Sequence, residues 1–182
     1  YRIGMARYQL IVAYDGTNYC GFQKQGFGRS VQAEIESALK KIGWPGGIFL
    51  AAGRTDCGVH ALGQVIAIDM EWKHSVDELR KAMNSHLPPD VSVRQAAQAD
   101  ATFHPRYGAR LRTYQYTIYC DADRNPLLER YCWRVWPAVP LHLLETCAGV
   151  FIGKHDFSSF GSPPRKGGNP VRSVFSSRWW KD

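Results

Sequence analysis

Apolar positions recur along this chain with two periods, two and about 3.6, and the alternation between them lays out a series of strands and helices. Residues 8–14, Tyr-Gln-Leu-Ile-Val-Ala-Tyr, are rich in β-branched and aromatic side chains and end at the turn pair Asp15-Gly16, which predicts a strand. Ser30 is suited to cap a helix reaching about Ile42. Val31, Ile35, Ala38, Leu39 and Ile42 fall on one of its faces, and Gly43 and Pro45 stop it. Residues 48–52 predict a short strand, followed by a polar, glycine-punctuated loop from Gly53 to Gly63. The next strand, 64–70, points Ile66, Ile68 and Met70 to one side. Ser75 opens a second helix in which Glu78 completes a capping box and Val76, Leu79 and Met83 form the apolar stripe. Pro88-Pro89 ends that helix, and residues 91–97 predict a fourth strand.

The order β-α-β-β-α-β implies an α+β protein of the ferredoxin-like arrangement, two helices over one face of an antiparallel sheet. The open face of such a sheet is a common platform for RNA. A second pass of the same pattern then begins. Residues 111–119 alternate as a long strand, and Trp133–Trp136 suggests a short one. Pro140 starts a helix with Leu141, Leu144, Ala148 and Phe151 in register, Gly153 closes it, and 171–180 reads as a further strand. We therefore expect an N-terminal half at 1–104 and a second half at 105–182 that lacks its last elements. Trp179-Trp180 would then stay uncovered, and the chain reads as truncated.

Composition narrows the partner. At 182 residues and 45% hydrophobic content the chain can bury a core, which argues against global disorder. Lys and Arg number 23 against 16 acidic residues, a net charge of +7 that favours a polyanion. The five cysteines, Cys20, Cys57, Cys120, Cys132 and Cys147, show no two-residue spacing. Reduced thiols in a cytoplasmic protein are the simplest reading. No apolar run approaches the length of a membrane helix and no signal peptide opens the sequence, so no membrane partner is expected.

Candidate chemistry concentrates in Gly-Arg-Thr-Asp-Cys-Gly-Val-His, residues 53–60. Glycines on both sides allow a tight turn that presents Asp56 outward. By residue type alone, an aspartate in such a loop is ordinarily a turn former bonded to its own backbone.

Seven ordered segments carry a resemblance that changes this balance. They are YDGTNYCGFQKQ at 14–25, SVQAEIESAL at 30–39, GRTDCGVHALGQV at 53–65, LPPDVSV at 87–93, FHPRYGA at 103–109, RTYQY at 112–116 and GKHDFSSF at 153–160. In this order they resemble the signature blocks of the TruA-type tRNA pseudouridine synthases. The resemblance implies the pseudouridine synthase fold and conversion of uridine to pseudouridine in the anticodon stem-loop of tRNA, without any cofactor. It implies a homodimer for the full-length protein.

By the same resemblance Asp56 is the catalytic carboxylate. Arg54 helps displace the target nucleotide and fills the space it leaves, a role suited to a planar guanidinium. Tyr114 stacks on the flipped uracil, and in a strand over 111–119 it shares a face with Arg112, Tyr116 and Ile118. Tyr116 is expected to be half-buried in the sheet. Arg106, Arg110 and Arg112, with Lys24 and Arg29, are candidates to line an RNA groove, with solvated surface charge as the alternative. Asp15 and Asp156 read as a turn former and a helix-end partner. No metal is expected, since His60 and His104 have no ligand spacing with Cys57 or His155-Asp156. Cys57, Phe22 and Pro105 depart from the usual alanine, tryptophan and alanine but keep small or apolar character. The family's C-terminal part supplies a basic partner for the aspartate, so this polypeptide alone is expected to be impaired. A non-catalytic RNA-binding module of the same fold is the second reading, and a cysteine- or metal-dependent hydrolase the third.

Overall fold

The fold is described from a computed structural model covering residues 4–161 and 169–181. Two compact units divide the chain, Tyr1–Thr113 and Tyr114–Asp182.

The first unit contains β1 (Ala6–Tyr14), α1 (Val31–Lys41), β2 (Phe49–Ala51), β3 (Ala61–Met70), α2 (Val76–His86) and β4 (Val91–Ala99). The strands form one antiparallel sheet of order β2-β3-β1-β4. Alternation decides which side is buried. Tyr8, Leu10, Val12 and Tyr14 of β1 pack with Ile66, Ile68 and Met70 of β3 and with Val91 and Val93 of β4. The apolar stripes of α1 (Val31, Ile35, Ala38, Leu39) and α2 (Leu79, Met83) cover that same layer, and burial of these side chains is the main stabilising term. Val76 departs from the expected stripe. It is the first residue of α2 and is 36% exposed.

Both helices start where their caps demand. The Ser30 hydroxyl accepts the Ala33 N–H, and Ser75 and Glu78 form the reciprocal capping box. Glu34 in the first turn of α1 and Lys40 and Lys41 in its last turn complement the helix dipole. A side chain invisible to periodicity, Asn84 of α2, accepts the Val93 N–H at 2.7 Å and donates to the Val93 carbonyl at 2.9 Å. This docks α2 to β4 next to the register shift that β4 makes opposite Ile11 and Val12.

On the opposite face of the sheet Arg7 and Asp69 are cross-strand partners joined by two hydrogen bonds, 2.7 and 2.9 Å, and Arg7 also donates to the Phe103 carbonyl at 2.9 Å. The Arg7 hydrogen bond holds the Asp69 carboxyl below its ordinary range. That end of the open face is thus closed by the segment following β4.

The second unit holds β5 (Ile118–Tyr119), β6 (Trp133–Arg134), α3 (Leu141–Val150), β7 (Gly153–Asp156) and β8 (Val171–Val174), with a 3₁₀ turn at Ser158–Phe160. β5 pairs β6 in parallel, and β7 pairs β8 antiparallel. Several expectations are corrected here. The strand expected over 111–119 is reduced to Ile118–Tyr119, since a ladder needs a partner and only Trp133–Arg134 provides one among the described residues. The common face of Arg112, Tyr114 and Tyr116 therefore does not form, and Tyr116 is exposed rather than half-buried. The strands expected at Trp133–Trp136 and 171–180 stop at Arg134 and Val174 for the same reason. Helix α3 forms where its apolar spacing places it, but of its stripe only Ala148 is buried.

Truncating Met83 to alanine should cost about 2–5 kcal/mol in chemical denaturation, as large-to-small core changes do. Val76→Ala should stay within about 0.5 kcal/mol of wild type; equal losses at the two sites would contradict this assignment of the core.

Candidate active site

The loop between β2 and β3 has no regular secondary structure, yet its backbone is tied down along its length. Its neighbour is the segment from Asp15 to Ser30, which leaves β1 and enters α1. Phe22 N–H donates to the Thr55 carbonyl at 3.0 Å, and Gly58 N–H donates to the Tyr19 carbonyl at 3.2 Å. Val59 N–H closes a turn on the Asp56 carbonyl at 3.2 Å. From the sheet side, Tyr14 Oη lies 2.8 Å from Thr55 Oγ1, and Gln64 Nε2 donates to the Gly53 carbonyl at 2.9 Å. Burial foremost raises the Tyr14 phenol above its usual value, so it stays a neutral hydrogen-bonding partner for Thr55.

Two glycines make this approach feasible. A Cβ at Gly16 would fall 2.0 Å from the Val59 carbonyl oxygen. At Gly21, where φ is +91°, it would fall 2.9 Å from the Thr55 carbonyl oxygen and 3.5 Å from the Asp56 carbonyl carbon. The two segments meet backbone to backbone, with no room between them for a side chain. Nδ1 of His60 lies 3.1 Å both from Gly16 N and from Asp15 Oδ1. The Gly16 N–H donates to this ring nitrogen. Asp15 is the expected turn former: its Oδ1 accepts from the Thr17 N–H at 2.9 Å and from the Thr17 hydroxyl at 2.5 Å.

Held in this way, the turn leaves the side chains of Arg54, Asp56 and Cys57 exposed while Thr55 faces inward. Arg112 reaches the base of the same loop, its Nη2 donating to the Ala52 carbonyl at 3.0 Å. Asp56, Arg54 and Arg112 are thus gathered on one short stretch of the first unit. Lys24 is exposed on the adjacent segment and pairs with Glu36 at 3.0 Å. Arg106 and Arg110 are exposed on the segment after β4. Tyr114 opens the second unit, exposed. Asp156 accepts the Ser158 N–H at 2.8 Å at the start of the 3₁₀ turn. Among the described residues no cluster of three or more His, Cys, Asp or Glu side chains is placed to hold a metal ion.

A buried-edge cluster escaped sequence reasoning. Asp90, at the end of the turn before β4, accepts from Tyr19 Oη at 2.6 Å and from Arg29 Nη1 at 2.7 Å, and its carbonyl accepts the Asp15 N–H at 2.9 Å. Arg29 also donates to Glu34 at 2.7 Å and lies 4.4 Å above the centre of the Tyr19 ring. Arg29 is therefore occupied inside the protein and is no free lining residue for a groove. Burial alone would raise the Asp90 carboxyl, but the bonds from Arg29 and Tyr19 outweigh it and hold the group below its ordinary range. Tyr19 is raised in turn, by burial first and then by Asp90. The only sequence signal was that Tyr19 and Asp90 each lie in a motif block; partners 71 residues apart leave no local pattern.

Comparison with known proteins fits this geometry. The family described as tRNA pseudouridine synthase matches residues 10–108, which contain the loop and its clamp. A protein named tRNA pseudouridine synthase A from Pseudothermotoga lettingae is 40% identical over 96% of this chain and 71% of its own length. Proteins of the same name from an Exiguobacterium species (40% identical, 95% and 70%) and Thermodesulfovibrio yellowstonii (39%, 93% and 66%) are similar to it as well. By class, then, the chain is an RNA-modifying isomerase. It belongs to the tRNA pseudouridine synthase family.

Because the Asp90 carboxyl is held below its unfolded value of about 3.9, its contribution to stability is complete above that pH and is lost as pH falls through the folded value. Urea denaturation should show an acid loss of stability below about pH 4 that is smaller in Asp90→Ala. At neutral pH that variant should be weaker by about 1–3 kcal/mol, since Tyr19 and Arg29 lose their acceptor. An unchanged midpoint would remove the cluster from the account.

Proposed function

We propose that this protein isomerises uridine to pseudouridine in the anticodon stem-loop of tRNA, with Asp56 as the catalytic carboxylate. The observation that carries the reading is an exposed carboxylate on a turn whose backbone is bonded from two sides, with Arg54 beside it and Arg112 at its base. The reaction breaks the N1–C1′ bond, rotates the base and joins C5 to C1′; the proton lost at C5 is balanced by one gained at N1, so no other reactant is consumed. A single carboxylate acting as nucleophile or base is sufficient for such an exchange.

The target base must leave its stack before Asp56 meets it, which costs a few kcal/mol. Arg54, two residues away and exposed, is suited to occupy the vacated space. Tyr114 is the aromatic surface for the extruded uracil, a contact worth about 1–3 kcal/mol. Lys24, Arg106, Arg110 and Arg112 would hold the phosphates in this reading, consistent with a net charge of +7. A second ferredoxin-like half, action in the cytoplasm and assembly as a homodimer follow from the family resemblance and complete the proposal.

Unmodified tRNA incubated with the protein should gain pseudouridine, mapped by carbodiimide modification and reverse transcription. Asp56→Asn should lower product formation by at least about 10³-fold while tRNA affinity changes little. Product from Asp56→Asn at the wild-type rate would sink the assignment, and a wild-type protein that binds tRNA without product would favour the RNA-binding module. The logarithm of tRNA affinity should also fall steeply and linearly with the logarithm of salt concentration, and a flat dependence would argue against phosphate contacts.

A further inference from the structure

The ring of Phe27 is 78% exposed on a loop that is otherwise tightly organised. Cys20 N–H donates to the Arg29 carbonyl at 2.8 Å, and Gln25 Nε2 donates to the Cys20 carbonyl at 2.8 Å. Lys24 N–H donates to Gln32 Oε1 at 3.1 Å, so the loop is fastened to α1 as well as across its own neck. Gly28, with φ +79°, lies against the Cys20 thiol: a Cβ there would come within 2.7 Å of Sγ. Phe27 therefore stands between two glycines on a closed neck, displayed to water although an apolar ring gains nothing from exposure there. The other end of the same neck is Gly21, which abuts the Asp56 backbone. Following these contacts places the Phe27 backbone within roughly 20 Å of Asp56, a span of a few nucleotides.

We infer that Phe27 is a stacking residue for a base of the RNA substrate flanking the target nucleotide, contributing to the choice of site; this rests on the function proposed above. An aromatic face accepts any base, and Lys24, exposed three residues before Phe27, favours a phosphate beside it. The backbone that carries the ring and the catalytic turn are tied to the same segment: the Phe22 N–H donates to the Thr55 carbonyl, and the Cys20 N–H to the Arg29 carbonyl. Phe27 touches a neighbouring nucleotide and takes no part in bond making, so its loss should appear in binding rather than in the chemical step.

The test compares wild type, Phe27→Ala and Phe27→Tyr with an unmodified tRNA transcript. Phe27→Ala should raise KM and Kd by about 5- to 100-fold with kcat at saturation retained. Phe27→Tyr should restore both, and the melting transition should not move in either variant. Irradiation of the wild-type complex should yield an RNA-linked peptide containing Phe27. Phe27→Ala binding within twofold of wild type, or a loss confined to kcat, would overturn the inference. If wild type bound tRNA but formed no pseudouridine, the catalytic reading would fail on its own, and the Kd comparison would still decide whether Phe27 stacks on RNA.

Discussion

Everything at the site depends on how closely two irregular segments approach each other. Gly16 and Gly21 allow the chain leaving β1 to lie directly on the turn that carries Asp56, and backbone donors on each side find acceptors on the other. Buried backbone groups must be paired, and here the pairing is done loop against loop instead of within a sheet. The result is a turn fastened from both sides whose outward positions, 54, 56 and 57, are free for chemistry while Thr55 points in. Holding a reacting group in place before substrate arrives is one of the larger contributions an enzyme scaffold can make.

Charge is divided between two uses. Arg7 and Arg29 are spent internally, each meeting a carboxylate and closing a junction: Arg7 with Asp69 across the sheet, Arg29 with Asp90 and Glu34 at the neck of the segment that holds the turn. Arg54, Arg106 and Arg110 face solvent. Of these, Arg54 lies on the turn itself, two residues from Asp56. The Asp90 cluster joins these uses, since it secures the support for a site whose outward side chains are positive or acidic by turns.

Local patterns were sufficient where neighbours in sequence decide the structure. The stripe of α1, Leu79 and Met83 of α2, the caps at Ser30 and Ser75 and the inward residues Ile66, Ile68 and Met70 all came from spacing alone, and each is seen in the fold. The turn at Asp15 was legible for the same reason. Long-range partners were not. Arg29 looked like any basic loop residue until Asp90, 61 positions away, was placed beside it, and Asn84 gave no hint of its bonds to Val93. In the second unit, alternation over 111–119 promised a strand, but alternation only describes which faces a strand would have; a partner must exist for one to form. The motif blocks pointed to Asp56 and Arg54, while spacing said nothing of the clamp beneath them.

Because the clamp acts almost wholly through main-chain atoms and the inward Thr55, the turn's outer surface is decoupled from its foundation. Position 57, where a cysteine stands exposed next to the carboxylate, can change identity without disturbing a single tie below it. Descendants of this sequence are thus at liberty to retune what surrounds the reacting group, residue by residue, on an unaltered chassis, whereas a methyl group added at position 16 would push the two segments apart and displace the carboxylate with them.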